Sequence, residues 1–117
     1  MSVTKPADCE NMDQVRSEID RLDNALVELL AERFGYVDRA WQLKNNPSEA
    51  TVPWRIQQVI DRVRAKAEDK NVPPDLCEAL WRQMIGWFIQ YEEEKLQDVS
   101  SSDGSADKSE GTPGKTA

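Results

Sequence analysis

Between Ala7 and Asn46 no proline interrupts the chain. Apolar side chains return there every three or four residues, at Met12, Val15, Ile19, Leu22, Leu26, Leu29, Val37 and Ala40. That is the spacing of one face of an α-helix. Asp8 or Asn11 can cap its start, Gly35 is its weak point, and Pro47 ends it, leaving Asn45-Asn46-Pro47-Ser48 as a loop. A helix of about 33 residues is about 50 Å long, whereas a compact domain of about 90 residues has a radius of gyration of roughly 12 Å. The helix therefore overhangs its own domain with its apolar stripe uncovered, and a second copy of the chain is the simplest cover.

Two further helices follow. One runs from about Pro53, a residue suited to a first helical turn, to Lys70, with Ile56, Val59, Ile60, Val63 and Ala67 as its stripe and Asn71 as a C-cap. The other starts at Pro73-Pro74 and ends near Gln97. Its expected face is Leu76, Leu80, Met84, Trp87, Phe88 and Tyr91, widened by Trp81 and Ile85. No stretch alternates as a strand does, and no tight-turn dipeptide joins strand-like runs. The fold class is all-α, a three-helix subunit with one very long N-terminal helix, paired as a homodimer. Residues 98–117 hold three of the five glycines and almost no apolar side chains, and so read as a disordered tail. Residues 1–7 read as flexible, which leaves 8–97 as the folded domain.

A chain of 117 residues is one domain at most. With 22 acidic against 15 basic residues and no basic run, it is a poor nucleic-acid binder. It has no histidine, which excludes Ser-His and Cys-His nucleophiles, and Cys9 and Cys77 alone make neither a disulfide framework nor a metal site. The start MSVTKPADCENMD has no apolar leader, and no run approaches the roughly 20 apolar residues of a membrane span, so a cytoplasmic protein is expected.

The informative positions are charges where the stripe calls for apolar residues. Extending the first series places Arg33 and Lys44 near the centre of the apolar face, eleven residues or about 16 Å apart along the axis. Two long cationic side chains can lean together there and grip a small anion. Arg16 lies well off the stripe centre and several turns away, so it reaches such a spot only in a partner subunit. The plainer alternative is that Arg33 and Lys44 snorkel or pair with buried acids. Arg55 opens the second helix, where backbone N–H groups add to an anion site, or else it is an ordinary surface arginine. On the third helix the row Trp81, Ile85, Phe88 continues to Glu92. That carboxyl either faces solvent or, buried and protonated beside a ligand, donates a hydrogen bond. The tryptophans are expected in core and interface, the cysteines as small buried residues, and Tyr36 and Tyr91 as packing. Several cations, one carboxyl and apolar walls suit a reaction that needs orientation and electrostatic stabilisation rather than covalent attack. A unimolecular rearrangement of a small dicarboxylate qualifies.

The chain resembles the all-helical chorismate mutases and, within them, the isochorismate pyruvate lyases of salicylate and siderophore biosynthesis. The likeness covers about residues 7–97. It is carried by Asp8-Cys9, by VRSEIDRLDNALVELLAERFGYVDRAWQLK (Val15 to Lys44), by VPWR (Val52 to Arg55) and by ALWRQMIGWFIQYEEE (Ala79 to Glu94). The combination R-x-x-I-D-x-x-D, L-x-x-R and a Lys eleven residues on is specific where each piece alone is weak. The resemblance implies an intertwined homodimer of three-helix subunits with two equivalent sites, and the residue inventory leads to the expectation of no cofactor and no metal. It implies that Arg33 holds one substrate carboxylate and that Lys44 contacts the ether oxygen and a carboxylate. Arg16 would enter from the other subunit to bind the second carboxylate, and Arg55 would bind near the ring carboxylate. Val37, Val59, Ile85, Phe88 and Ile89 would form apolar walls.

Two departures bear on activity. Glu92 stands where many members carry a Gln that hydrogen-bonds the ether oxygen, although fungal members also carry Glu. A carboxylate facing that oxygen is repulsive, so Glu92 must be protonated to help. Ile56 stands where enteric-type mutases have a Glu that binds the ring hydroxyl, and an aliphatic residue there is the lyase pattern. Ile56 thus points to the lyase and Glu92 to the mutase. The main reading is the Claisen rearrangement of chorismate to prephenate, the alternative is cleavage of isochorismate to salicylate and pyruvate, and the third is a non-catalytic helical binding module.

Overall fold

The computed structural model describes residues 3–44 and 52–100. They form three α-helices, α1 (Met12–Leu43), α2 (Pro53–Asp69) and α3 (Pro74–Ser100), preceded by a single 3-10 turn at Pro6–Asp8. Among the described residues there is no strand. The expected loop at 45–48 and residues 101–117 lie outside the described residues.

The helix ends follow their local chemistry. Asn11 caps α1, its Oδ1 accepting the Gln14 amide at 2.9 Å, while the Gln14 side chain accepts the Glu10 amide. Asp8 sits instead in the 3-10 turn, and the Thr4 amide donates to Glu18 at 3.0 Å. Pro53 and Pro74 open α2 and α3, where a missing N–H costs nothing. Asn71 ends α2 in the left-handed region, at φ 61°. The Val72 amide donates to Ala67 and the Asn71 amide to Glu68, the paired bonds of a Schellman cap. α3 continues to Ser100, three residues beyond the expected end.

The chain divides into two compact units at Tyr36–Val37, inside α1. In the first unit, α1 has no buried residue, and its stripe members Ile19, Leu22, Leu26 and Leu29 are 48–63% exposed. In the second unit, α2 packs on α3. The α2 stripe faces inward as expected: Ile60 and Ala67 are buried, and Ile56, Val59 and Val63 half-buried. Arg64 ties the two helices at the surface, bonding Asp75 and Glu78, while Arg82 shares Glu78.

The inward face of α3 is the expected one in part, with Met84 and Tyr91 half-buried beside the residues that follow. Phe88, Glu92 and Leu96 are buried, with Cys77, Trp81 and Ile85 half-buried, whereas Leu76, Leu80 and Trp87 are exposed. α3 is apolar on two sides, so spacing alone does not choose between them. Tryptophan burial is likewise uneven, with Trp41 and Trp81 half-buried and Trp54 and Trp87 exposed. Both cysteines are half-buried rather than buried.

Candidate active site

The second unit brings two of the expected site residues together. Glu92 is only 7% exposed, and Phe88 and Leu96, one turn to either side of it on α3, are buried with it. It therefore stands within an apolar row, not at the end of one, and the expectation that it faces solvent is overturned. A carboxylate in such surroundings needs a partner. Lys44 supplies it, with Nζ 2.5 Å from Glu92 Oε1. Lys44 follows the last turn of α1, and its amide donates to the Trp41 carbonyl at 3.2 Å. Its side chain remains 25% exposed, so the ammonium is still open to an incoming anion. Of the two readings of Lys44 from sequence, the structure shows pairing with a buried acid.

A second polar contact joins the same stretch of α1 to α3. Tyr91 Oη donates to Asp38 Oδ1 at 2.6 Å, and Trp41 Nε1 donates to the same oxygen at 2.7 Å. The Tyr91 hydroxyl, then the Trp41 indole, then the nearby Lys95 charge hold the Asp38 carboxyl below its ordinary range. Burial, followed by the Asp38 hydrogen bond and charge, pushes Tyr91 up to about 12. The Tyr91 ring stacks on Trp87 with centroids 5.7 Å apart, and Lys95 Nζ lies 5.5 Å from its centre. Sequence reasoning left Tyr91 as a packing residue and passed over Asp38. The available signal was an acid three residues before a tryptophan on one helix face, within reach of its indole N–H.

The other candidates are placed by their helices. Arg55 lies in the first turn of α2 as expected, but it is exposed and bonds Gln58 of its own helix at 2.7 Å, as a surface arginine does. Ile56 and Val59 on α2, Ile85 and Ile89 on α3, and Val37 on α1 are half-buried, and Phe88 is buried. Arg16 and Arg33 belong to the first unit. Arg16 is exposed with Asp13 3.9 Å away, and Arg33 is half-buried on α1. Among the described residues no cluster of acidic or Cys side chains is arranged to hold a metal ion, and no helix is long and apolar enough to cross a membrane. The arrangement offers an ammonium, a carboxyl and apolar neighbours. Such a set can bind and polarise an anionic organic molecule.

Comparison with known proteins agrees with this chemistry. The family described as chorismate mutase type II matches residues 15–93. The isochorismate pyruvate lyase of Pseudomonas aeruginosa is 30% identical over 84 residues, covering 72% of this chain and 83% of that protein. The T-protein of Enterobacter agglomerans is 35% identical over 72 residues, 61% of this chain but only 19% of that protein.

Proposed function

We propose that this chain, which belongs to the chorismate mutase type II family, rearranges chorismate to prephenate. The observation that carries the reading is the contact of Lys44 with a buried Glu92 in a member of that family. The reaction is unimolecular and pericyclic, so no protein group forms a bond to substrate. The work left to the side chains is to fold the substrate over itself and to stabilise charge developing on the ether oxygen. Lys44 takes the ether oxygen and one carboxylate. Glu92, which takes up a proton from solvent once substrate displaces it from Lys44, gives a second hydrogen bond to that oxygen. Arg33 binds a carboxylate of the substrate, and Arg55 turns from Gln58 to the ring carboxylate. Arg16 of the partner subunit completes the set in a homodimer built on the exposed stripe of α1. Val37, Val59, Ile85, Phe88 and Ile89 hold the apolar ring faces.

In the unliganded protein Lys44 is engaged by Glu92, so substrate must take over the ammonium. A substrate carboxylate does this by replacing one anionic partner of Lys44 with another.

A second reading is cleavage of isochorismate to salicylate and pyruvate. It is favoured by the match along most of the Pseudomonas aeruginosa lyase and by the aliphatic Ile56, which offers no acceptor to a ring hydroxyl. Chorismate and isochorismate supplied separately to the purified protein decide between them. Prephenate from chorismate with little salicylate from isochorismate is expected. Efficient salicylate formation would establish the lyase. Neither product from folded protein would move a binding module to the front.

A further inference from the structure

We propose that Asp38 is a positioning residue: through Tyr91 and Trp41 it fixes the last turn of α1 on α3 so that Lys44 is delivered to Glu92. The proposal rests on the roles given above to Lys44 and Glu92. The contacts form a closed circuit. Tyr91 Oη and Trp41 Nε1 both donate to Asp38 Oδ1, the Trp41 carbonyl accepts the Lys44 amide, and Lys44 Nζ donates to Glu92 Oε1. Glu92 follows Tyr91 directly on α3, so the circuit closes through one peptide.

The circuit has a mechanical consequence. Lys44 lies just past the end of α1, where the intrahelical ladder is incomplete and helices fray. Its side chain is long and rotatable, so without a tether the ammonium samples many positions. The Lys44–Glu92 contact by itself ties α1 to α3 at one point. Asp38 is six residues earlier, about 9 Å along the axis, and a second contact at that separation fixes both height and rotation. The α3 side of both contacts is a single turn. It is held further by the stacking of Tyr91 on Trp87 and by Lys95 over its ring. Asp38 receives two donors on one oxygen, so the tie also sets the Trp41 rotamer, and Trp41 in turn carries the carbonyl that receives the Lys44 amide. In this circuit only Lys44 and Glu92 meet substrate; Asp38, Tyr91 and Trp41 act through them, and their output is the place of the Lys44 ammonium.

The test uses the full chain and compares Asp38→Ala, Asp38→Asn and Tyr91→Phe with Arg64→Ala, which removes a surface tie between α2 and α3 away from the circuit. A displacement of about 1 Å at a reacting group costs up to about a hundredfold in rate. Asp38→Ala and Tyr91→Phe should therefore lower kcat at least about tenfold with KM within about twofold. Asp38→Asn, which keeps the accepting oxygen, should recover to within about threefold of the wild type. Arg64→Ala should lower melting temperature and leave kcat alone. A kcat for Asp38→Ala and Tyr91→Phe within twofold of wild type, with only melting temperature reduced, overturns the proposal. If Asp38→Ala fails to fold, Tyr91→Phe, which loses one hydroxyl, decides. The carboxyl ¹³C resonance of Glu92 in the unliganded protein gives a readout independent of turnover. It should move in Asp38→Ala and stay in Arg64→Ala. If wild type turns over neither chorismate nor isochorismate, the activity assignment fails, and the Glu92 resonance alone judges the circuit; an unmoved resonance in Asp38→Ala overturns it.

Discussion

Glu92 shows what one residue in an apolar row does to its neighbours. The row is legible from sequence, and so is the anomaly of a carboxyl within it. The direction of the anomaly was not, because the row Trp81, Ile85, Phe88 was followed only as far as Glu92. Leu96, one turn on and 3% exposed, shows that the row continues and carries Glu92 inside. Its role is open to substitution. Glu92→Gln keeps a hydrogen-bond donor for the ether oxygen and should retain kcat, whereas Glu92→Ala removes it and should lower kcat. An undiminished kcat in Glu92→Ala would remove Glu92 from the chemistry. Lys44→Ala deletes the ammonium and should lower kcat by about 10²–10³, the usual loss when one transition-state contact is removed. Asp38 and Tyr91 make a separate prediction, about stability. The Asp38 carboxyl is held low, so its contribution is present above the ordinary Asp range of about 3.9 and is lost as pH falls through the lowered folded value. Tyr91 is raised to about 12, so its contribution is present below its ordinary 10.0 and is lost as pH rises through about 12. Tyr91→Phe should cost about 1 kcal/mol at neutral pH. In chemical denaturation, its deficit relative to wild type should shrink at both extremes.

At the scale of the element, three helices and most of their ends follow from the chain itself. Prolines open α2 and α3, Asn11 caps α1, and Asn71 stops α2, each for a reason visible in the residue type. The facing of α3 follows only in part: Phe88 and Tyr91 turn inward as expected, Leu76, Leu80 and Trp87 do not. Its two apolar rows satisfy the same period, and what selects the inward one is the packing of α2, which no local pattern contains. The amphipathic α2, with one stripe, left no such choice. The Asn71 cap can be checked directly. At φ 61° an alanine carries a Cβ penalty that glycine does not, and asparagine lies between them. Asn71→Ala should destabilise by about 1 kcal/mol, and Asn71→Gly should leave stability level or slightly higher, as read from denaturant midpoints at constant m.

The whole molecule is where helix length decides. α1 spans 32 residues, and over its first unit no side chain is buried, while Ile19, Leu22, Leu26 and Leu29 stand 48–63% exposed. α3 exposes a second row at Leu76, Leu80 and Trp87. A single chain gains little from a stripe it does not cover, whereas covering the exposed half of each such side chain is worth about 1 kcal/mol. Exposed apolar surface of this kind suits the proposed interface between copies, and the match to the family over residues 15–93 includes the exposed stretch of α1. A twofold pair of chains laying α1 on α1 would cover the stripe and, on the proposed function, deliver Arg16 to the opposite subunit. Sedimentation should therefore give a dimer. Leu26→Asp places a charge in the centre of the stripe and should yield monomers with reduced helicity. In such monomers activity should fall with dimer content, because a site that borrows Arg16 is incomplete alone. Mixing Arg16→Ala chains with Lys44→Ala chains provides the sharper version. Each homodimer should be inactive, while the mixed dimer combines the intact Arg16 of one subunit with the intact Lys44 of the other. About a quarter of all sites should then recover on random exchange of equal amounts. No recovery from chains shown to exchange would confine each site to a single subunit.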